Sequence, residues 1–311
     1  MDRQGAVGVG AVGLVPGQTP GLLSTMPRGD LFQLVAYSDE GTEGHVAQEP
    51  PVTCYRDYNV LLRDPTVELV FVGGPVELRR DLAVRALNAG RHVVLQAPFC
   101  ESALDAERLM KTAFQQGLIA TMQMSWRDEP DFRALRVALA EENAGMVHSL
   151  QAFWWPPEPD QKPTALLETV AFALLDQINL LVGRDARDVS AYPLRPAPGR
   201  PDVGFTLVLP LRREGCAIAR AGHRADERLP RWVVDTRGTT IVAGGRQAVA
   251  LAGDQRRVYD APVEAEGFWV NLHAAVRHGA DLKCATRDIV RAMKLHEAAL
   301  ESAGLGEPVP V

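Results

Sequence analysis

The first 125 residues alternate short apolar runs with helical patterns, and no other feature restricts the fold as much. Ala6–Val12 reads as a strand leading into the Gly/Pro-rich turn Gly13–Gly21, and Phe32–Ser38 as a second strand ending at Asp39. Tyr58–Arg63 reads as a short helix, Leu69–Gly73 as a buried strand, Leu78–Asn88 as a helix and His92–Leu95 as a strand. Ala103–Gln116 and Ile119–Met124 continue the series as helix and strand. Strands separated by helices of this length require right-handed crossovers and a parallel sheet. Residues 1–125 are therefore expected to form a doubly wound α/β domain.

After Trp126 the pattern changes. Asp131–Glu142 reads as a helix, Val147–Trp155 as a strand, 156–163 as a proline-rich loop and Ala165–Leu181 as one long, nearly all-apolar helix. Val203–Leu211, Cys216–Gly222, Trp232–Thr236, Thr239–Ala243 and Ala248–Ala252 follow with short Gly/Arg/Glu turns, which reads as an antiparallel meander. Phe268–His278 and Thr286–Ala303 close the chain as helices. Residues 126–311 are thus expected to form an α+β domain with an open, mostly antiparallel sheet, the final helix packing back on the first domain. At 311 residues the chain exceeds one typical core and suits two domains. An open sheet leaves an apolar face, so a homo-oligomer is expected, with Val203–Leu211 and Cys216–Gly222 in the contact.

A net charge of −6 gives no electrostatic reason to bind nucleic acid, which is itself a polyanion. Cys54, Cys100, Cys216 and Cys284 lie far apart with no histidine at ligand spacing. They read as scattered thiols in a reducing compartment, with no metal site. The Ala/Gly/Val stretch at the N-terminus lacks a basic leader and is broken by Gly and Pro. Neither a signal peptide nor a membrane span is expected, and a cytoplasmic protein is.

A dinucleotide fold needs glycines where backbone approaches a pyrophosphate. Gly8-Val9-Gly10-Ala11-Val12-Gly13 is a literal G-x-G-x-x-G, but it leaves little apolar strand before it. The alternative register takes Val7–Gly10 as strand and places the fingerprint at Ala11, Gly13 and Pro16, nearer the expected spacing to Asp39. This second register is preferred, with Pro16 removing a donor N–H at a helix start that tolerates proline. Asp39 would accept from ribose hydroxyls and repel a 2′-phosphate, which favours NAD over NADP; it also reads as an ordinary turn residue. Gly73-Gly74-Pro75 ends another parallel strand, where ligands collect in such sheets, and is also a common strand terminator.

One further stretch, Ala86-Leu87-Asn88-Ala89-Gly90-Arg91-His92-Val93-Val94-Leu95-Gln96-Ala97-Pro98, carries a resemblance. It is similar to the segment that marks the Gfo/Idh/MocA oxidoreductases, in which the strand ends in Glu-Lys-Pro and the lysine works on a substrate hydroxyl. The resemblance implies a Rossmann-type first domain, a sugar or polyol-like substrate, and a cofactor near Gly73, Gly74, Pro75 and Gln96. It also exposes what is missing. Gln96-Ala97 replaces Glu-Lys, so Ala97 stands where the lysine would be. The family's Asp-x-Gly-x-His-x-x-Asp helix matches Thr169–Asp176 only at its last aspartate, with Ala173 at the histidine position.

The remaining candidates for chemistry are Arg127, Asp176 and Lys162. Arg127 matches an arginine that faces the site in relatives and could fix a carboxylate or polarise a carbonyl. Asp176 and Glu168 are the acids of the apolar helix, where burial makes a carboxyl a candidate proton carrier; a cap or salt bridge is the plainer reading. Lys162, in the proline-rich loop, is the one lysine able to swing into a cleft, or it is simply solvated. Of Trp154 and Trp155, adjacent strand residues, at most one could stack on a sugar. His92 reads as structural. Two functions remain open: an NAD-dependent oxidoreductase with a rearranged acid/base set, and a non-catalytic dinucleotide- or sugar-binding sensor or silent subunit. A lyase or hydrolase using bound NAD transiently is a third.

Overall fold

The computed structural model describes residues 5–13, 26, 30–38, 52–154, 165–183, 185–222, 230–262 and 267–311. Lys162, Pro16, Asp39 and Trp155 lie outside the described residues. Contacts divide the chain into two compact units, Met1–Met124 with Glu266–Val290, and Ser125–Ala265 with Arg291–Val311.

In the first unit, β1 (Val7–Val12), β2 (Phe32–Ser38), β3 (Thr53–Tyr55), β4 (Leu69–Val72), β5 (His92–Leu95) and β6 (Ala120–Met122) form a parallel sheet of order β3-β2-β1-β4-β5-β6. This is the doubly wound order, which reverses between β1 and β4. All six residues of β1 are buried, as a central strand covered on both faces requires. Between the strands lie α1 (Tyr58–Leu61), α2 (Val76–Asn88) and α3 (Ala103–Gln115). Helix α2 runs into Gly90, whose φ of +75° is the left-handed turn that glycine makes without strain. Ser102 caps α3 by accepting the Asp105 N–H at 3.0 Å. His92 accepts the Ile119 N–H at 3.0 Å and so ties β5 to the entry of β6.

The second unit holds α4 (Pro130–Glu141), β7 (Val147–Trp154), α5 (Leu166–Thr169) and α6 (Ala171–Leu181). Seven more strands follow: β8 (Asp188–Leu194), β9 (Gly204–Pro210), β10 (Cys216–Gly222), β11 (Trp232–Thr236), β12 (Thr240–Gly244), β13 (Gln247–Ala252) and β14 (Gln255–Asp260). The last elements are α7 (Phe268–His278), α8 (Thr286–Leu305) and β15 (Val309–Pro310). The sheet runs β14-β13-β12-β11-β7-β10-β9-β8-β15 and is mostly antiparallel. It is not the unbroken meander that the sequence suggests. β7 inserts between β10 and β11, parallel to the first and antiparallel to the second. The expected single helix over Ala165–Leu181 also divides, at Val170 (φ −104°) between α5 and α6.

One face of this sheet packs on helices. Leu150, Leu207, Ala219, Trp232 and Ile241 join Phe132 and Leu135 of α4, Leu174 and Ile178 of α6, and Leu295 of α8 in one core. Trp154 packs against the edge of that core. Helix α7 belongs instead to the first unit, where Trp269 meets the Phe32 ring edge-on at 5.3 Å and Arg277 pairs with Glu68 at 2.7 Å. Among the described residues no helix is long and apolar enough to cross a membrane.

Candidate functional site

In open α/β sheets, ligands bind outside the carboxyl ends of the strands, at the point where strand order reverses. In this sheet that point is the pair of turns after β1 and β4. Gly13 leaves β1 with φ +70° and Gly74 leaves β4 with φ +78°. The turns meet backbone to backbone: a Cβ on Gly13 would lie 2.4 Å from the Gly73 carbonyl oxygen, and one on Gly73 would lie 3.0 Å from that of Gly13. Both turns thus require glycine, and glycine main chain at this point is what a dinucleotide fold uses to approach a pyrophosphate. The residues present therefore fit a dinucleotide.

Gly8 and Gly10 serve a different purpose. Both lie inside β1, where a Cβ on Gly8 would sit 1.9 Å from the Thr66 carbonyl oxygen and one on Gly10 2.8 Å from Leu61. They allow the strand to pack closely on neighbouring segments. Ala11, expected to open the turn, is also within β1 and fully buried, paired with Tyr37 and Phe71; the turn opens at Gly13.

Gln96 follows β5, and its Oε1 lies 3.4 Å from the place of a Cβ added to Gly73. Pro75 is the N-cap residue of α2 and gives no side-chain cap bond. Beneath these turns is a residue that sequence reasoning missed. Arg79, in the first turns of α2, is 6% exposed. It donates to the Gly74 carbonyl from Nε at 2.9 Å and from Nη2 at 2.6 Å, and from Nη1 to Gln96 O at 3.0 Å and Pro98 O at 2.5 Å. It clamps the loop after β4 to the loop after β5. Burial lowers its pKa to about 10, which leaves it cationic at neutral pH. An arginine on an amphipathic helix ordinarily reads as a solvated charge, so the pattern gave no signal.

In the second unit, Arg127 and Asp176 come together. Arg127, on the 3-10 turn Ser125–Asp128, donates from Nε to Asp176 Oδ2 at 2.7 Å and from Nη2 to Oδ1 at 2.5 Å. Trp126 Nε1 donates to the same Oδ2 at 2.7 Å. The Asp176 side chain is 0% exposed and that of Arg127 11%. Gln177 extends the lattice, donating to Trp126 O at 2.6 Å and Glu129 Oε2 at 3.0 Å. Arg231 then pairs with Glu129 at 2.6 Å and with Asp131 at 3.3 Å. This polar lattice pins the segment between β6 and α4. Glu168 is exposed on α5, and Ala173 is half-buried on α6. Among the described residues no group of three His, Cys, Asp or Glu side chains is placed to hold a metal ion.

Fold and strand-end turns define a Rossmann-type, dinucleotide-fold protein with an α+β companion unit. Residues 3–124 match the profile of the Gfo/Idh/MocA oxidoreductase family with an NAD-binding Rossmann fold, which supports the resemblance over the first unit. The chain is 30% identical over 141 residues to dTDP-3,4-didehydro-2,6-dideoxy-alpha-D-glucose 3-reductase of Actinomadura kijaniata, covering 45% of this chain and 39% of that protein. It is 28% identical over 163 residues to 1,5-anhydro-D-fructose reductase of Ensifer adhaerens, covering 49% and 45%. Both matches span less than half of the relative. The crystal structure of an NAD-binding protein from Listeria innocua superimposes with a TM-score of 0.80 at 20% identity, covering 97% of this chain and 96% of that one. That likeness establishes the fold over nearly the whole length.

Proposed function

We propose that this chain binds a nicotinamide dinucleotide, NAD in preference to NADP, and acts on a sugar or polyol-like substrate with an acid/base set unlike that of its relatives. The meeting of the glycine turns Gly13 and Gly73-Gly74 at the point where strand order reverses carries this reading, because that is where a dinucleotide fold uses glycine main chain. When bound, the dinucleotide supplies the hydride donor or acceptor. Gln96 would hydrogen-bond a carboxamide or a sugar hydroxyl. Asp39, directly after β2, favours NAD by repelling a 2′-phosphate. The two reductases named above support a carbohydrate-like substrate. Arg127, Asp176 and Lys162 are the residues proposed for the substrate side, with Arg127 orienting a carboxylate or carbonyl rather than moving a proton.

A second reading, a non-catalytic binding protein, is favoured by one observation. Asp176 already accepts three N–H bonds from Arg127 and Trp126, while Ala97 and Ala173 have no proton to give. Titration separates these readings. Saturable quenching of tryptophan emission by NADH is expected, and its absence would overturn the dinucleotide site itself. With a panel of sugars and cyclitols, NAD turnover is expected and should fall at least roughly tenfold in Arg127→Ala protein that is as folded as wild type, through lost orientation of the substrate. Binding without turnover across the panel establishes the second reading.

We also propose a homo-oligomer formed through the open face of the second sheet. Register aligns Ser190, Val208, Ile218, Gln151, Val233, Val242, Val249 and Val258 in one row across eight strands, on residues that alternate with the helix-covered core. Six of these eight are apolar, and Val258 is 44% exposed. Such a row favours a covered face. Light scattering is expected to give a multiple of the single-chain mass, and Ile218→Glu to reduce it to one chain. A wild-type protein of single-chain mass rules the contact out.

A further inference from the structure

We propose that Arg79 sets the preference of this site between the two redox states of a nicotinamide dinucleotide, favouring the neutral, reduced ring over the cationic, oxidised one. The inference rests on the dinucleotide reading above. The doubly wound sheet consists of two mononucleotide halves, and β4, β5 and β6 form the second. The first half carries the Gly13 turn and the ribose-facing end of β2, so the nicotinamide half of the ligand belongs over the ends of β4 and β5.

Those ends are what Arg79 holds, through the carbonyls of Gly74, Gln96 and Pro98. Nε, Nη1 and Nη2 all donate to neutral carbonyl oxygens, so these bonds use four of the guanidinium's five donors and leave its charge. The thiol of Cys100, its nearest ionisable neighbour in effect, is pushed up to about 12 by burial and stays neutral. Of the carboxylates around it, Glu77 and Glu101 are exposed and screened by solvent, and Asp105 is paired with Arg80 at 3.4 Å. Arg79 also sits in the first turns of the 13-residue α2, whose N-terminal end is itself positive and has no side-chain cap. Charge and helix dipole add. The result is a net positive potential at the ends of β4 and β5, unfavourable to a cationic ring.

Dissociation constants for NADH and NAD+ should be measured on wild type and variants, using NADH emission directly and NAD+ by competition. Wild type is expected to bind NADH more tightly. Arg79→Met, which keeps length and removes charge, should lower the ratio Kd(NAD+)/Kd(NADH) about tenfold, as one charge near a partly solvated site implies. Arg79→Lys should keep the ratio within about twofold even if both affinities weaken. A merely structural clamp predicts the opposite pattern: both constants rise together in Arg79→Met and the ratio stays fixed, which overturns the inference while leaving the dinucleotide reading intact. No binding to wild type overturns both. If Arg79→Met does not fold, the exposed Glu77→Lys decides instead, raising the ratio about twofold if charge at this turn matters and leaving it unchanged if not.

Discussion

Asp176→Ala is expected to destabilise the protein by about 3–5 kcal/mol, measured as a lower midpoint in urea with an unchanged slope. The substitution removes little hydrophobic surface; its cost comes from what it leaves behind. Arg127 would keep a guanidinium whose side chain is 11% exposed with its carboxylate gone, and the Trp126 N–H would lose its acceptor. Asp176→Asn should cost less, about 1–2 kcal/mol, because a carboxamide oxygen in the place of Oδ2 still accepts from Trp126 Nε1 and Arg127 Nε. Replacing both charges, as in Arg127→Met with Asp176→Leu, should recover part of the loss, since neither buried charge then remains without the other. If Asp176→Ala costs under about 1 kcal/mol, the pair contributes no more than a surface bridge and the pinned 3-10 turn needs another explanation. This ordering also bears on function. An activity loss in Asp176→Asn counts as chemistry only when the variant is as folded as wild type at the assay temperature.

The pattern of apolar runs located the first sheet almost strand by strand, because a buried parallel strand is a short apolar run and each crossover helix has its own period. Lateral order in the second sheet was not legible. Val147–Trp154 and Cys216–Gly222 have 61 residues between them, yet pair in parallel, and nothing local in either strand names its neighbour. The division at Val170 was hidden by an apolar composition that is equally compatible with one helix or two. Helix α7 was found as a helix, but its place against Phe32 depends on an aromatic contact between residues more than two hundred positions apart. Among site residues, Asp176 and Arg127 were singled out separately, while their bidentate pairing, the Trp126 donor and the Gln177–Arg231 extension required coordinates. Arg79 was invisible for a plainer reason: its partners are backbone carbonyls, which every sequence has.

Glycine substitutions in and just after β1 give the second large effect and separate packing from the proposed ligand binding. Gly8→Ala is expected to cost about 3 kcal/mol or more, a drop in melting temperature of roughly 6–12 °C. A Cβ there would lie 1.9 Å from the Thr66 carbonyl oxygen, and a backbone atom cannot turn aside as a side chain can. The neighbourhood is also fixed by pairing, since Gly8 accepts the Glu68 N–H at 2.8 Å and Glu68 is held by Arg277. Gly10→Ala meets only the ends of Leu61 and Val67, which can shift, so its cost should stay near 1 kcal/mol. Gly90→Ala meets nothing and suffers only its φ of +75°, about 1 kcal/mol. Gly13→Ala combines both penalties at the turn proposed to hold the dinucleotide, a φ of +70° and a 2.4 Å approach to Gly73 O, so it should weaken NADH binding in protein that remains folded at low temperature. If the literal G-x-G-x-x-G were the phosphate cradle, Gly10→Ala would abolish NADH binding without a comparable loss of stability. The strand position of Gly10 implies the reverse, a slightly less stable protein that binds NADH as wild type does.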